Sequence, residues 1–158
     1  MVGRPKRKVA RYLGTTATLN DEATLKAGRP VLMVEVLPAA AGDVLELRFV
    51  SAASPRPQGV WMAVDGEFEV ADQRSAQFTF WKETAPPAIQ VRVLAASPPV
   101  IWMYNVWQEP QRGETRSQSH ESGMLKDDDG SAMTYRCRDL GPDARYDAVV
   151  FQVRRQRL

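Results

Sequence analysis

The chain has very few of the residues that build thiol and metal sites. It contains one cysteine and one histidine among 158 residues. One cysteine cannot form an intramolecular disulfide, and one His with one Cys is too few for a zinc ligand set. No apolar run approaches the ~18 residues of a membrane-spanning helix, and the residues after the basic start are too polar for a signal peptide. We therefore predict a cytoplasmic protein with no membrane partner, no cofactor and no metal site.

The net charge of the whole chain is also small, but the charges are unevenly distributed along it. The formal charge is +2, from 21 Lys and Arg against 19 Asp and Glu. Residues 1–11 carry five positive charges and residues 148–158 carry three, with no acid in either segment, so the rest of the chain carries −6. Nucleic acid or another anion would therefore meet the termini, where phosphate contacts weaken with salt. The candidate anion-binding residues are Arg4, Lys6, Arg7, Lys8 and Arg11, and a solubilising tail explains the same charges.

Long helical patterns are missing, and short strand patterns take their place. From Gly28 onward, β-branched and aromatic runs alternate with polar residues between clusters of Pro, Gly, Asp and Ser. This pattern predicts an all-β domain of about eight or nine strands. Because no helix covers the apolar strand faces, we expect an antiparallel two-sheet β-sandwich, with a jelly roll or closed barrel as the alternative. The expected division is a basic, partly flexible arm at 1–27, the sandwich at 28–155 and a short basic tail at 156–158.

Two hairpins are predicted from turn residues. Asp65-Gly66 suits the two φ > 0 positions of a type I′ turn, which would pair Val64 with Glu67. That register places four side chains on the core face, namely Trp61, Ala63, Phe68 and Val70. A second hairpin is expected over residues 123–138, around the acidic turn at 127–130, with Met133, Tyr135 and Cys137 on one face.

Residues 100–107 form an unusual strand pattern because both alternating sets of side chains are bulky. Such a strand is either central and covered on both faces, or it offers one face as a binding platform. A long polar connection over 108–122 follows it, and connections of this length are often functional or disordered. The candidate binding residues are Trp102, Tyr104, Asn105 and Trp107.

The polar connection contains the only histidine, His120, beside Glu121. With Asp139, these residues could supply the base and the carboxylate of a small hydrolase or lyase. The chain has no Gly-x-Ser-x-Gly nucleophile motif, and a solvated loop histidine is the simpler interpretation. The acidic run at 127–130 lacks the pattern of a calcium loop and is typical of a hairpin turn.

Four segments in the last third of the chain share a pattern with other proteins. They are Tyr104-Asn105-Val106-Trp107, Ser122-Gly123-Met124-Leu125, Tyr135-Arg136-Cys137-Arg138-Asp139 and Asp147-Ala148-Val149-Val150-Phe151. Together they resemble the C-terminal pattern of a family of uncharacterised bacterial proteins of modest size. The resemblance implies a bacterial origin and no particular reaction.

The sequence as a whole favours a non-enzymatic module that binds a protein partner or a second copy of itself. The expected surface is the aromatic strand with the long polar connection, because Trp, Tyr and Met beside polar residues are favoured at interfaces. The alternatives are the hydrolase or lyase with His120, and anion or nucleic-acid binding through the basic termini.

Overall fold

The structure, a computed structural model, describes residues 13–109, 111, 113–141 and 145–156. These residues form ten strands and one short helix. In chain order the elements are β1 (Thr18–Leu19), α1 (Asp21–Ala27), β2 (Leu32–Pro38), β3 (Val44–Ser51), β4 (Gln58–Val70), β5 (Gln73–Trp81), β6 (Ile89–Glu109), β7 (Glu114–Arg116), β8 (Gly123–Asp128), β9 (Met133–Arg138) and β10 (Val149–Gln156). Among the described residues, no helix has the length and apolar character that a membrane span requires.

Six of the strands close into an antiparallel ring. The order around the ring is β2-β8-β9-β10-β3-β6, and β6 pairs back with β2. β6 closes the ring because it is long enough to pair with two strands in succession. Its first part pairs with β3, with Val44 opposite Arg92, and its later part pairs with β2, with Glu35 opposite Met103. β4 and β5 extend the sheet from β6, while β1 and β7 add short strands to β2 and β6.

The predicted two-sheet sandwich is therefore wrong, and the ring is a closed barrel with extra strands. A sandwich has two sheets with separate edges, whereas each strand of this ring has a hydrogen-bonded neighbour on both sides. Period-2 alternation shows that one face of a strand is apolar, and sandwiches and barrels both bury such a face. The difference lies in how β6 bends and pairs, which the alternation does not report.

The predicted hairpin at Asp65-Gly66 is also wrong. β4 continues through this dipeptide as one strand, and the turn follows at residues 71–72, between the paired residues Val70 and Gln73. Gly66 lies instead in a bulge, where β4 shifts register against both of its neighbours. A Cβ at Gly66 would overlap the backbone carbonyl of Ala95, so glycine is what allows β6 to come this close.

The continuous β4 strand changes which side chains face the core. Met62 and Phe68 both face the barrel core, so Trp61 and Phe68 do not share a face as the hairpin would require. Phe68 lies in the barrel core, whereas Trp61 and Ala63 lie on the outside of the sheet. There they form an outer cluster with Val34, Trp102 and Val106.

The second predicted hairpin is confirmed. β8 and β9 pair with Asp128 opposite Met133, and the acidic residues supply the turn between them. Met133, Tyr135 and Cys137 all lie in the barrel core. Tyr135 stacks there on Phe151 of β10, with ring centroids 4.9 Å apart.

Helix α1 ties the N-terminal part of the described chain to the polar connection. Asn20 caps the helix, because its side-chain oxygen accepts from the backbone N–H of Ala23 at 3.0 Å. The Asn20 amide nitrogen donates to the carbonyl oxygens of His120 and Ser122, both at 2.9 Å. The end of the long connection is therefore held against the start of the helix.

Candidate functional site

The aromatic strand predicted at 100–107 is central and covered on both faces. It belongs to β6 and lies between β2 and β4. Ile101 and Met103 point into the barrel core, and Val106 points into the outer cluster. Three of the four candidate binding residues are at most 3% exposed: Trp102, Asn105 and Trp107. Their part in binding stays a prediction, and their burial leaves Tyr104 as the one that reaches the surface.

Tyr104 belongs to a group of aromatic side chains on the outside of the sheet. Its ring stacks on Trp61, with centroids 4.4 Å apart and planes at 19°. Trp61 in turn donates its indole N–H to the side-chain oxygen of Gln77 at 2.8 Å. Burial raises the pKa of Tyr104, and a hydrogen bond with Ser117 of the polar connection opposes that rise. We call Trp61, Trp81 and Tyr104 the outer aromatic patch.

Strand β5 carries residues that the sequence analysis did not single out. Trp81 lies over Gly59 of β4, where an added Cβ would come within 2.9 Å of the indole. Phe78 and Phe80 point to the other face, pack partly buried against the barrel core and stack with centroids 5.8 Å apart. The alternation of Gln77 and Thr79 with Phe78 and Phe80 was the available signal for a strand with one apolar face.

β5 is also the last strand in the sheet order, so within the described part of the chain its outer edge is unpaired. Natural edge strands are usually protected by a Lys, a Pro or a bulge. Residues 75–81 of β5 contain no Lys and no Pro, and Thr79 in their midst is exposed. In the described structure this edge is open to a further strand.

The three candidate catalytic residues do not form one site. The His120 side chain is 74% exposed, and its Nε2 lies 3.6 Å from the nearer Glu121 oxygen, beyond hydrogen-bond distance. His120 and Glu121 border a small cavity of about 130 Å³ beneath α1, whereas Asp139 lines a different cavity. Among the described residues, no carboxylate is hydrogen-bonded to the His120 ring. A catalytic role for His120 stays a prediction.

The acidic turn between β8 and β9 uses its carboxylates to hold the backbone. One Asp129 oxygen accepts from the N–H groups of Ser131 and Ala132, both at 2.8 Å. These bonds hold the pKa of Asp129 below its usual range, and the bond from Ala132 has the largest effect. Within the described residues, no group of three or more His, Cys, Asp or Glu is placed to hold a metal.

The candidate anion-binding residues lie outside the described part of the chain; they are Arg4, Lys6, Arg7, Lys8 and Arg11. The C-terminal end of β10 is described, and Arg155 is used within the fold. Its guanidinium donates to the Pro38 carbonyl and lies 3.7 Å from the Asp43 carboxylate. Nucleic-acid binding through the termini stays a prediction.

Asp139 lies next to two of the candidate binding residues, at one end of the barrel. Gln58 donates to an Asp139 carboxylate oxygen at 2.9 Å and is the β4 partner of Trp107 in β6. Asn105 donates to the carbonyl oxygen of Arg138, the residue before Asp139, at 3.2 Å. A candidate catalytic residue, Asp139, is therefore a neighbour of two candidate binding residues.

The carboxylate of Asp139 is held by the loop between β3 and β4. Asp139 is 3% exposed, and Ser54 donates its hydroxyl to the same oxygen as Gln58, at 2.5 Å. Arg56 lies 3.6 Å from that oxygen and donates to the Leu140 carbonyl at 3.0 Å. The signal for this loop was the Ser-Pro-Arg-Pro run at 54–57, because two prolines restrict the backbone of the loop.

A second buried carboxylate, Glu35, lies inside the barrel. One oxygen accepts from the Tyr135 hydroxyl at 2.7 Å and lies 2.8 Å from the Lys126 ammonium, and the other accepts from the Val36 N–H at 2.9 Å. Glu35 is 3% exposed. A buried carboxylate needs such partners, because removal from water destabilises its charge.

The buried hydroxyl of Tyr135 is expected to limit the stability of the fold at alkaline pH. Burial, followed by the charge and hydrogen bond of Glu35, raises the pKa of Tyr135. In the unfolded chain a tyrosine has a pKa of ~10. Because the folded protein holds the Tyr135 proton more tightly, this hydroxyl contributes its full stability below about pH 10, and the contribution is lost as the pH rises above that value. We expect Tyr135→Phe to lower stability at neutral pH and to flatten the fall above about pH 10 in urea unfolding. Equal slopes for the two proteins would contradict this.

No model of a known protein family matches the chain, and no curated protein does. This agrees with the resemblance to a family of uncharacterised proteins. Among solved structures, the chain is similar to a lectin of Chromobacterium violaceum in complex with alpha-methyl-fucoside. The identity is 14%, the match covers 80% of this chain and 96% of that chain, and the TM-score is 0.37. At that TM-score the likeness assigns neither a fold nor a ligand to this chain.

Proposed function

We propose that the chain is a non-enzymatic binding module that associates with a second copy of itself through the edge of β5. The observation that carries the proposal is the β5 edge, on which no further strand of the described chain pairs, flanked by the partly buried rings of Phe78, Phe80 and Trp81. Such an edge presents unpaired N–H and C=O groups with which another strand can pair. The outer aromatic patch, which includes Tyr104 of the predicted aromatic strand, lies directly beside this edge.

The sequence of β5 favours an antiparallel pairing centred on Thr79. In that register Phe78 faces Phe80 of the second copy, and aromatic pairs across strands are stabilising. A pairing centred on Phe78 would place Arg74 opposite Lys82, and like charges directly opposite each other are destabilising. A pairing centred on Gln77 would place the Arg74 guanidinium against Phe80, which would remove its charge from water.

The Thr79-centred pairing also extends the outer aromatic patch. On the outer face it places Gln77 opposite Trp81 of the second copy. Gln77 already accepts a hydrogen bond from Trp61, so the two patches would become continuous across the dimer. Phe78 and Phe80 of both copies would meet on the opposite face. Contact between them would bury the parts of these rings that are exposed in a single copy.

Thr79→Lys tests the proposal by placing two positive charges opposite each other at the centre of the pairing. The wild type is expected to dimerise in sedimentation velocity, and Thr79→Lys to weaken the dimer by about tenfold or more, which corresponds to about 1.4 kcal/mol. Thr115→Lys is the matched control. Thr115, like Thr79, is an exposed threonine in a strand, but its strand, β7, lies away from the β5 edge. A wild type that stays monomeric at all accessible concentrations, or a Thr79→Lys dimer of unchanged affinity, would overturn the proposal.

Thr79→Cys tests the register itself. Residues directly opposite in an antiparallel pair have Cβ atoms ~4.5–5.5 Å apart, near enough for a disulfide after a small adjustment. The native Cys137 does not interfere, because it is fully buried and burial raises the pKa of its thiol. We expect mild oxidation to link Thr79→Cys into a covalent dimer and to leave Thr115→Cys monomeric. A wild-type dimer whose Thr79→Cys form does not link would place the interface elsewhere.

A further inference from the structure

The cavity beside Asp139 has the features of a binding site for a small molecule. Its volume is about 480 Å³, and it lies between the β3–β4 loop and the segments that join β9 to β10. Five of its described lining residues have polar side chains: Ser54, Arg56, Asp139, Arg145 and Asp147. A concave site with a few convergent polar groups is the usual form of a small-molecule site.

The inner wall of the cavity is held in place by the protein itself. Ser54 and Gln58 both donate to one oxygen of Asp139, which fixes the orientation of the carboxylate. Arg56 is fixed in turn by its bond to the Leu140 carbonyl. Groups that are already oriented lose little conformational freedom when a ligand arrives, and binding is stronger for that reason.

Behind this wall are polar atoms that the fold leaves unpaired. The side-chain oxygen of Gln58 and the indole nitrogen of Trp107 are buried and have no hydrogen-bond partner among the described residues. Gln58 is 2% exposed and Trp107 is fully buried. Buried polar atoms without partners are rare in native proteins, and each one needs an explanation.

Among the described residues that line the cavity, the charges balance. Two arginines, Arg56 and Arg145, stand against two acids, Asp139 and Asp147. A charged ligand would leave one of these side chains uncompensated on entering the cavity. A hydroxyl group suits both kinds of partner, because it donates to a carboxylate and accepts from a guanidinium at the same time.

We propose that this cavity binds a small neutral molecule with several hydroxyl groups. Asp139 accepts a hydrogen bond from one hydroxyl, and Arg56 donates to a neighbouring one. Arg145 at the exposed rim donates to a further hydroxyl on the outer side of the ligand. The site is independent of the β5 edge, so either proposal can fail without the other.

Titration followed by ¹⁵N–¹H NMR tests this site. The neutral test compounds are glucose, galactose, mannose and sorbitol, and the charged ones are inorganic phosphate and glycine. At least one neutral compound is expected to cause saturable shifts of the amides at 53, 54, 56 and 139–141. If none does, or if only phosphate or glycine shifts these amides, the proposal is overturned.

Two substitutions connect the shifts with the named side chains. Arg145→Gln changes an exposed residue, so the fold is expected to persist while the affinity for the bound neutral compound falls about tenfold, as expected for loss of a charge-assisted hydrogen bond. Arg116→Gln, an exposed arginine of β7, is the matched control and is expected to leave the affinity unchanged. Asp139→Asn keeps the shape of the side chain and is expected to weaken binding by more than tenfold. Equal affinities for Arg145→Gln and Arg116→Gln, together with undiminished binding by Asp139→Asn, would overturn the assignment.

Discussion

Gly66→Ala is expected to lower the free energy of unfolding by about 3 kcal/mol or more, although it adds a single methyl group. Gly66 has φ +156°, and a Cβ there would overlap the carbonyl oxygen and carbon of Ala95. Both atoms belong to the backbone of β6, which is paired with β4 on either side of the bulge, so neither can move without breaking strand pairing. The strain would fall on the strand that closes the barrel.

Gly42→Ala is the control that separates this overlap from the cost of backbone conformation. Gly42 has φ +95° and nothing within 4 Å of an added Cβ, so alanine there meets only the conformational cost of about 1 kcal/mol. Urea unfolding of the two variants and the wild type measures both effects. If Gly66→Ala costs no more than Gly42→Ala, the close approach of β4 and β6 at the bulge is contradicted.

Lys126→Met is expected to lower the free energy of unfolding by about 2 kcal/mol at neutral pH. The substitution keeps an unbranched side chain of similar length and removes the ammonium that lies 2.8 Å from the Glu35 carboxylate. Glu35 is then a buried charge without a cation, and breaking such pairs typically costs about 3–5 kcal/mol. The lower figure is expected because the Lys126 side chain is 30% exposed and water screens the pair.

A second substitution and a surface control decide whether the lost ion pair is the cause. The double variant Glu35→Gln with Lys126→Met removes the unpaired charge and is expected to recover part of the lost stability. Lys26→Met breaks the exposed pair with Glu22, whose side chains are 74% and 58% exposed, and is expected to cost less than about 0.5 kcal/mol. Equal losses for Lys126→Met and Lys26→Met in urea unfolding would contradict the role of the buried pair.

Much of the local structure was predictable because it depends on neighbouring residues. Alternation located strands such as β3 and β10, since apolar side chains on one face of a strand recur at every second residue. The acidic turn at 127–130 was predictable for the same reason, because aspartates bond to backbone groups two or three residues away. The Asp65-Gly66 dipeptide misled for a different reason: glycine was required there by the approach of Ala95 in another strand.

The candidate site was only partly predictable. Asn105 and Trp107 were named from the sequence as parts of one strand and Asp139 as a separate feature. Gln58 of β4 joins them by its bond to Asp139, 81 residues away in the chain. The unprotected edge of β5 could not be foreseen, because a strand is an edge only by its place in the sheet order. For residues 100–107 the sequence left two alternatives, and the burial of Trp102 and Trp107 shows that both faces of the strand are covered.

The sequence by itself determined that this is an all-β chain, where most strands lie and where the charge is concentrated, because these properties depend on neighbouring residues and on composition. The tertiary structure alone decided that the sheet closes into a barrel, that Glu35 meets Tyr135 one hundred residues later, and that Asp139 borders a cavity. The physical reason is that strand pairing over long separations is set by how well whole strands fit, whereas the alternating pattern in each strand is compatible with several pairings.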